Sequence, residues 1–369
     1  LGICKDEAMG SPSVIKYRVG FDPGTLPLVG GRRSLRLLEY TGKRPQITSD
    51  FYHTLTSARS PCTATISDSA GYPEIIAIEP GDTTASTYGL AVDLGTTTVV
   101  GMLFNLADTN FCAQASTLNR QITYGEELMT RLAFAREPGG LEKMQLAAVE
   151  SINAVLIQLT TSKGIESTSI QDICLAGNTV MQYLFYGRNP RGLEMADAVV
   201  DRRPFVKKAG DLGLHVNPEA YVYCLPNVSR FVGGDAVGDV IVSTMHRSDD
   251  LSFLIDLGTN GEIIVGNTEW LASVSCASGP AFEGGGISHG MRAMRGAIEH
   301  VTIDPHTGIA SWVTIGNQPP RGICGSGIID AAAEMVGAGI LDFTGKLVEG
   351  KPNVRSGENG LEYLLVPKD

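Results

Sequence analysis

The chain has 369 residues, 43% hydrophobic and 19% charged, with 44 glycines and 18 prolines; this composition excludes a disordered or fibrous protein and leaves room for about two packed domains. Its net charge of −11 repels phosphate backbones and no Lys/Arg cluster interleaved with aromatics offsets it, so nucleic acid is not an expected partner. No apolar run reaches the roughly 18–20 residues that span a bilayer, and Leu1 opens neither a signal peptide nor a targeting segment; a soluble, cytoplasmic protein with no membrane partner is expected.

Seven cysteines stand at positions 4, 62, 112, 174, 224, 276 and 324, with no Cys-x-x-Cys among them. Iron–sulfur clusters and structural zinc sites usually announce themselves by close Cys or Cys/His spacing. Most of these thiols are expected to be buried and reduced, and packing beside close turns is the preferred reading of Cys276 and Cys324 over a reactive role.

Residues 1–87 mix polar stretches, Pro and Gly with short strand-like runs at Ser34–Leu38 and Glu74–Ile78, which reads as a small separate α+β domain and linker. Glu79-Pro80-Gly81-Asp82-Thr83-Thr84 is loop chemistry, and a buried strand follows it. From Tyr88 strands alternate with helices. Leu141, Met144, Ala148, Ile152, Val155 and Leu159 recur at the spacing that puts one apolar face on a helix over 141–160. Strands are predicted around Ile173–Ala176, Phe253–Ile255 and Ile263–Val265, and a helix over Ile328–Val336. The fold class is α/β, with expected domains at 1–87, 88–240 and 241–369.

An internal repeat carries the chemistry. Leu90-Ala91-Val92-Asp93-Leu94-Gly95-Thr96-Thr97-Thr98 returns as Phe253-Leu254-Ile255-Asp256-Leu257-Gly258-Thr259-Asn260-Gly261, and an apolar strand follows each copy. The unit is a hairpin whose tip holds a carboxylate, a Gly and hydroxyl residues. Gly lets backbone N–H groups approach an anion closely, Thr hydroxyls add donors, and the Asp can hold Mg²⁺ through water. One such hairpin is weak, because Gly-Thr turns join ordinary strands everywhere. Two copies on similar domains facing each other across a cleft would bring both tips to one polyphosphate, one cradling its terminal groups and the other the Mg²⁺ and the attacking water.

Two more segments fall between the tips. Gly177 and Asn178 sit at a strand-to-helix turn, which a plain connection explains equally well. Gly233-Gly234-Asp235 places a Gly pair, suited to close packing or anion contact, before Asp235, with Asp239 one helical turn on. Asp235 is the better site candidate of the two acids.

The first hairpin, the Gly-Asn-Thr connection, the Gly-Gly-Asp segment and the second hairpin follow the order of the actin-like ATPase superfamily. Adding Asn119-Arg120-Gln121, Tyr124-Gly125-Glu126, Cys276-Ala277-Ser278-Gly279-Pro280-Ala281-Phe282-Glu283-Gly284-Gly285 and Gly322-Ile323-Cys324-Gly325-Ser326-Gly327, the chain resembles the reductive activators of corrinoid-dependent methyltransferases over nearly its whole length. The resemblance implies duplicated actin-like (ribonuclease H-like) ATPase domains, the second incomplete, after a small domain. It implies that ATP binding and hydrolysis drive electron delivery to a Co(II) corrinoid protein, restoring Co(I). The 2Fe–2S cluster of that family belongs to an N-terminal ferredoxin-like domain, expected to be absent here, and the chain is expected to stop before the later helix and Leu-Ala-Gly-type turn that complete the fold.

By the same resemblance, Asp93, Gly95, Thr96, Thr97 and Thr98 form the first phosphate loop and Asp256, Gly258, Thr259, Asn260 and Gly261 the second, with Asp93 and Asp256 on Mg²⁺ through water and Asp256 on the attacking water. Glu262 either assists or is an ordinary strand residue. Gly325, Ser326 and Gly327 either receive the adenosine side of ATP or are a helix entry shaped for packing. The Gly-rich loop from Cys276 to Gly290 is expected, through Ser278, Phe282 and Glu283, to face the corrinoid partner or carry nucleotide state to it; His289 reads as a hydrogen-bonded loop residue before a cobalt ligand. A small-molecule kinase of the same superfamily and a non-catalytic nucleotide sensor stay as alternatives, and a homodimer is compatible with the sequence.

Overall fold

The computed structural model describes residues 13–21, 35–37, 45–48, 62–258, 260–277, 279, 281, 284, 287–357 and 360–367. The chain divides into two compact units, Leu1–Ser248 and Asp249–Asp369.

The first unit begins with β1 (Val14–Phe21), β2 (Leu35–Leu37), β3 (Cys62–Ser67) and β4 (Glu74–Pro80), paired as an antiparallel sheet of order β2-β1-β3-β4. Every residue of β3 is buried, as befits a strand covered on both faces. Val19, Cys62, Ala64, Ile66 and Ile75 form its own small core.

A six-stranded sheet of order β7-β6-β5-β8-β10-β9 follows. It comprises β5 (Tyr88–Leu94), β6 (Thr98–Asn105), β7 (Asn110–Leu118), β8 (Ile170–Ala176), β9 (Phe205–Lys208) and β10 (Tyr221–Cys224). β5, β6 and β7 are an antiparallel meander, whereas β5, β8 and β10 run parallel, so their carboxyl ends share one edge. That edge is where open α/β sheets bind ligands. Helices α1 (Leu128–Ala135), α2 (Gly140–Lys163), α3 (Thr179–Phe185), α4 (Ala209–Leu212) and α5 (Gly234–Ser243) complete the unit.

The apolar stripe read from the sequence is the buried face of α2: Met144, Ala148, Ile152, Val155 and Leu159 are each at most 1% exposed. Burying each large aliphatic side chain contributes about 1.5–3 kcal/mol. The helix lies directly on β6, where a Cβ on Gly101 would stand 2.5 Å from Val155 Cγ1, and it ends at Gly164 in the left-handed region, φ 64°.

The second unit holds β11 (Ser252–Leu257), β12 (Asn260–Gly266) and β13 (Leu271–Ala277) as one antiparallel sheet, and β14 (Ala297–Ile303), β15 (Ala310–Thr314) and β16 (Gly322–Ile323) as another. Helix α6 (Gly325–Gly337) and the hairpin of β17 (Val354–Gly357) and β18 (Gly360–Tyr363) follow. β16 covers only Ala297 and Ile298 of β14. Beyond them, Asp330 and Glu334 of α6 accept the backbone N–H groups of Val301 and Ile303 at 3.3 and 2.8 Å, satisfying donors that an open edge would expose.

The helices expected over 141–160 and 328–336 fall inside α2 and α6, and Leu35–Leu37 lies within the expected strand at 34–38. The cysteines depart from expectation: Cys62, Cys224 and Cys324 are buried, but Cys174 and Cys276 are exposed. The cause at Cys174 is strand alternation, which sends Ile173 and Leu175 into the core and Cys174 to the opposite face. Among the described residues no helix is long and apolar enough to cross a membrane.

Candidate functional site

β5 buries Leu90, Val92 and Leu94 and leaves Asp93 exposed at its carboxyl end. Gly95, Thr96 and Thr97 turn back into β6, and Gly95 is required there, since a Cβ would stand 2.6 Å from the Thr98 carbonyl oxygen. The carbonyls of this turn are anchored one after another. Asn119 Nδ2 donates to Gly95 O at 2.9 Å, Arg131 Nη2 to Thr96 O at 2.6 Å, and the Asn119 N–H to Thr97 O at 3.0 Å. In a planar trans peptide the carbonyl and the following N–H point in opposite directions, so these anchors turn the N–H groups of Thr96, Thr97 and Thr98 to the other side of the loop. Successive N–H groups on one side form a concavity suited to an anion.

Behind the loop, Asn119, Gln121 and Arg131 are each 0% exposed. Arg131 also donates from Nε to Gly125 O at 2.8 Å and from Nη1 to Gln121 Oε1 and Met181 Sδ, each at 3.3 Å. Burial lowers its pKa to about 10, which leaves it a cation at neutral pH.

The other candidates of this unit gather at the same edge. Gly177, at the end of β8, lies where a Cβ would stand 2.9 Å from Leu94 O. Its carbonyl accepts the Gly234 N–H at 2.9 Å. A Cβ on Gly233 would collide with Gly177 O and the Thr179 N–H, so the start of α5 packs backbone to backbone on this turn. Asn178 is buried, caps α3 by accepting the Val180 N–H at 3.0 Å, and donates to Phe231 O. Its side chain therefore braces the turn. Asp235 occupies the first turn of α5, where a carboxylate complements the helix dipole, and accepts the Ala236 N–H at 2.8 Å.

In the second unit, β11 and β12 pair so that Asp256 faces Glu262, and β12 and β13 so that Glu262 faces Ser275. Asp256 is half-buried and Glu262 is 3% exposed. The Ser275 hydroxyl donates to Glu262 Oε1 at 2.8 Å, and the Cys276 thiol to Gly261 O at 3.2 Å. Gly258 and Asn260 flank the tip; Thr259 lies outside the described residues, as do Ser278, Phe282 and Glu283 of the Gly-rich loop. His289 is exposed, and its carbonyl accepts the Ile323 N–H at 2.9 Å.

Gly325, Ser326 and Gly327 open α6, with Ser326 exposed. A Cβ on Gly327 would collide with Ile298 O, so this glycine serves the packing of α6 on β14. Among the described residues no group of three or more His, Cys, Asp or Glu side chains could hold a metal ion.

Sequence reasoning missed Arg131 and the anchoring work of Asn119. A signal existed for the first: Leu128, Arg131, Leu132 and Ala135 make the buried stripe of α1, so the arginine stands at an apolar position of an amphipathic helix.

Residues 88–248 match the RACo middle region, and residues 250–369 match the C-terminal domain of RACo, its ASKHA domain. Corrinoid activation enzyme RamQ of Eubacterium limosum is 36% identical over 265 residues, which cover 71% of this chain and 44% of RamQ. The Co(II) methylated amine-specific corrinoid protein reductase of Methanosarcina barkeri is 25% identical over 296 residues, covering 72% of this chain and 53% of that protein. A solved structure of a reductive activator for corrinoid, iron-sulfur protein superposes with a TM-score of 0.85 at 32% identity, over 98% of this chain and 59% of that one. The chain thus spans about half the length of the curated relatives it matches.

The sheets, the Asp-Leu-Gly-Thr hairpins and the ASKHA match define a protein of the actin-like ASKHA class, with a preceding domain. Within that class the chain belongs to the family of reductive activators of corrinoid proteins, and it carries that family's middle region and C-terminal ASKHA domain.

Proposed function

We propose that this chain is the ATP-binding and ATP-hydrolysing part of a reductive activator that drives electron transfer to a Co(II) corrinoid protein, returning cobalt to Co(I) for methyl transfer. The observation that carries the reading is the first tip: an exposed Asp93 beside a loop whose Gly95, Thr96 and Thr97 carbonyls are held from behind. The recurrence of Asp-Leu-Gly-Thr at Asp256 supports a second set of phosphate contacts. Gly177, Gly233 and Gly234 would then serve by letting backbone approach backbone at the loop, and Asp235 by its place at the start of α5.

The donor set fits a magnesium nucleotide. Mg²⁺ is commonly held by one or two carboxylates together with phosphate oxygens and water, so one Asp at each tip suffices and no larger cluster is needed. Asp93 and Asp256 are the proposed ligands through water, and Asp256 would orient the attacking water. Bound Mg²⁺ would offset charge on the phosphates during transfer to water. The described cysteines do not fit an iron–sulfur cluster, since no three of them could share one ion. Ser278, Phe282 and Glu283 are proposed to face the corrinoid protein.

Product analysis tests the reading. With Mg²⁺ and ATP, the chain should release inorganic phosphate to water, faster when a Co(II) corrinoid protein is added. Phosphate appearing on a small metabolite, or a release indifferent to every corrinoid protein tried, would contradict it.

A further inference from the structure

The buried arginine behind the first tip is chemically unusual. Arg131 is 0% exposed, and its partners, Gly125 O, Thr96 O, Gln121 Oε1 and Met181 Sδ, are all neutral. Among the described residues no carboxylate forms an ion pair with it. A buried cation without a counter-charge is costly to keep, and hydrogen bonds to neutral acceptors offset only part of that cost. Holding the Thr96 carbonyl could be done by a neutral donor, as Asn119 does for Gly95. The excess charge calls for a different account.

We propose that Arg131 is a positioning residue for polyphosphate: it fixes the Thr96 peptide so that the following N–H faces the ligand, and it supplies, from behind the loop, a positive charge that an incoming anion completes. The proposal rests on the reading of this tip as a nucleotide-phosphate site. A fixed charge in a low-dielectric setting acts more strongly than one in water and is poorly screened by salt. Its effect therefore grows with the charge of the ligand. Arg131 becomes a determinant of selectivity for ATP over ADP and AMP without touching any of them.

The test neutralises the charge while keeping the bond to Thr96. Gln121→Glu is nearly isosteric and places a carboxylate against Arg131 Nη1; it gives up the Nε2 bond to Met144 O, a loss that bears on all three nucleotides alike, and leaves Arg131 Nη2 on Thr96 O. Calorimetric titration of the intact chain with ATP, ADP and AMP, each with Mg²⁺, should then show a graded loss, on the order of tenfold for ATP, less for ADP and about twofold or none for AMP. A clamp that is only structural predicts an equal loss for all three nucleotides, or no loss, and either result would overturn the proposal. Should Gln121→Glu fail to fold, Arg131→Lys and Arg131→Met decide it: lysine should keep the ATP-to-AMP preference and methionine lose it, and identical preferences in both variants would overturn the idea. A wild-type chain that binds none of the three would instead reject the nucleotide-site reading, and this proposal with it.

Discussion

The phenol of Tyr221 on β10 donates its hydrogen to the carboxylate of Glu74 on β4, 147 residues earlier in the chain. Lys208 Nζ stands 2.9 Å from the same carboxylate and 2.6 Å from Glu219, while Val14 and Ile76 pack around the Tyr221 ring. The small sheet is thereby fastened to the six-stranded sheet through a buried polar knot set in apolar surroundings. Burial first, and then the Glu74 hydrogen bond and charge, push the Tyr221 phenol well above its ordinary pKa, so it stays a donor throughout the working pH range. Tyr221→Phe should cost about 1–2 kcal/mol in urea unfolding. Glu74→Ala should cost more, because it leaves the buried phenol without its acceptor and the Lys208 ammonium with Glu219 alone.

A second fastening predicts a pH dependence. Asp172 on β8 accepts from the hydroxyls of Ser13 at 2.9 Å and Ser69 at 3.3 Å. Burial raises its pKa above the usual carboxylate value, with the two serine bonds working against the shift. A carboxyl whose folded pKa is raised contributes stability that is complete below its unfolded pKa and is lost as pH rises through the folded one. Asp172→Asn keeps an acceptor and adds a donor without the charge. Unfolding followed across pH should show the variant at least as stable as wild type at neutral pH, with any advantage disappearing in acid.

Glycine positions separate two physical causes. A Cβ on Gly233 meets the backbone of Gly177 and Thr179, which no side-chain rotation can relieve, whereas Gly139 has open space but a φ of 72°. Gly139→Ala should cost about 1–2 kcal/mol from backbone strain alone and leave nucleotide binding intact. Gly233→Ala should cost about 2–3 kcal/mol from overpacking and weaken nucleotide binding as well, since it wedges α5 away from the turn beside the first tip. Denaturant midpoints with and without MgATP distinguish the two.

The hairpins were legible in the sequence because a repeated Asp-Leu-Gly-Thr between apolar runs admits few other conformations, and α2 because its stripe recurs over about five turns. Arg131 was hidden for a physical reason: its contact with Thr96 spans 35 residues and arises only when α1 folds over the loop. Asn178 also carries a local signal. Its place before Thr179 and Val180 is an N-cap signature, and that local role, with the bond to Phe231, occupies the side chain in the structure. Glu74 and Tyr221 carried no sequence signal at all, since neither type nor spacing marks a pair on separate sheets.

The most direct measurement is the stability of the purified chain against MgATP, for wild type and for Asp93→Asn and Asp256→Asn. A ligand at a hundredfold over its Kd adds about 2.7 kcal/mol, so wild type should unfold later with MgATP present, and each variant should need about tenfold more nucleotide for the same protection. No protection of wild type, or variants protected as well as wild type, would contradict the claim that the two Asp-Leu-Gly-Thr tips bind the nucleotide.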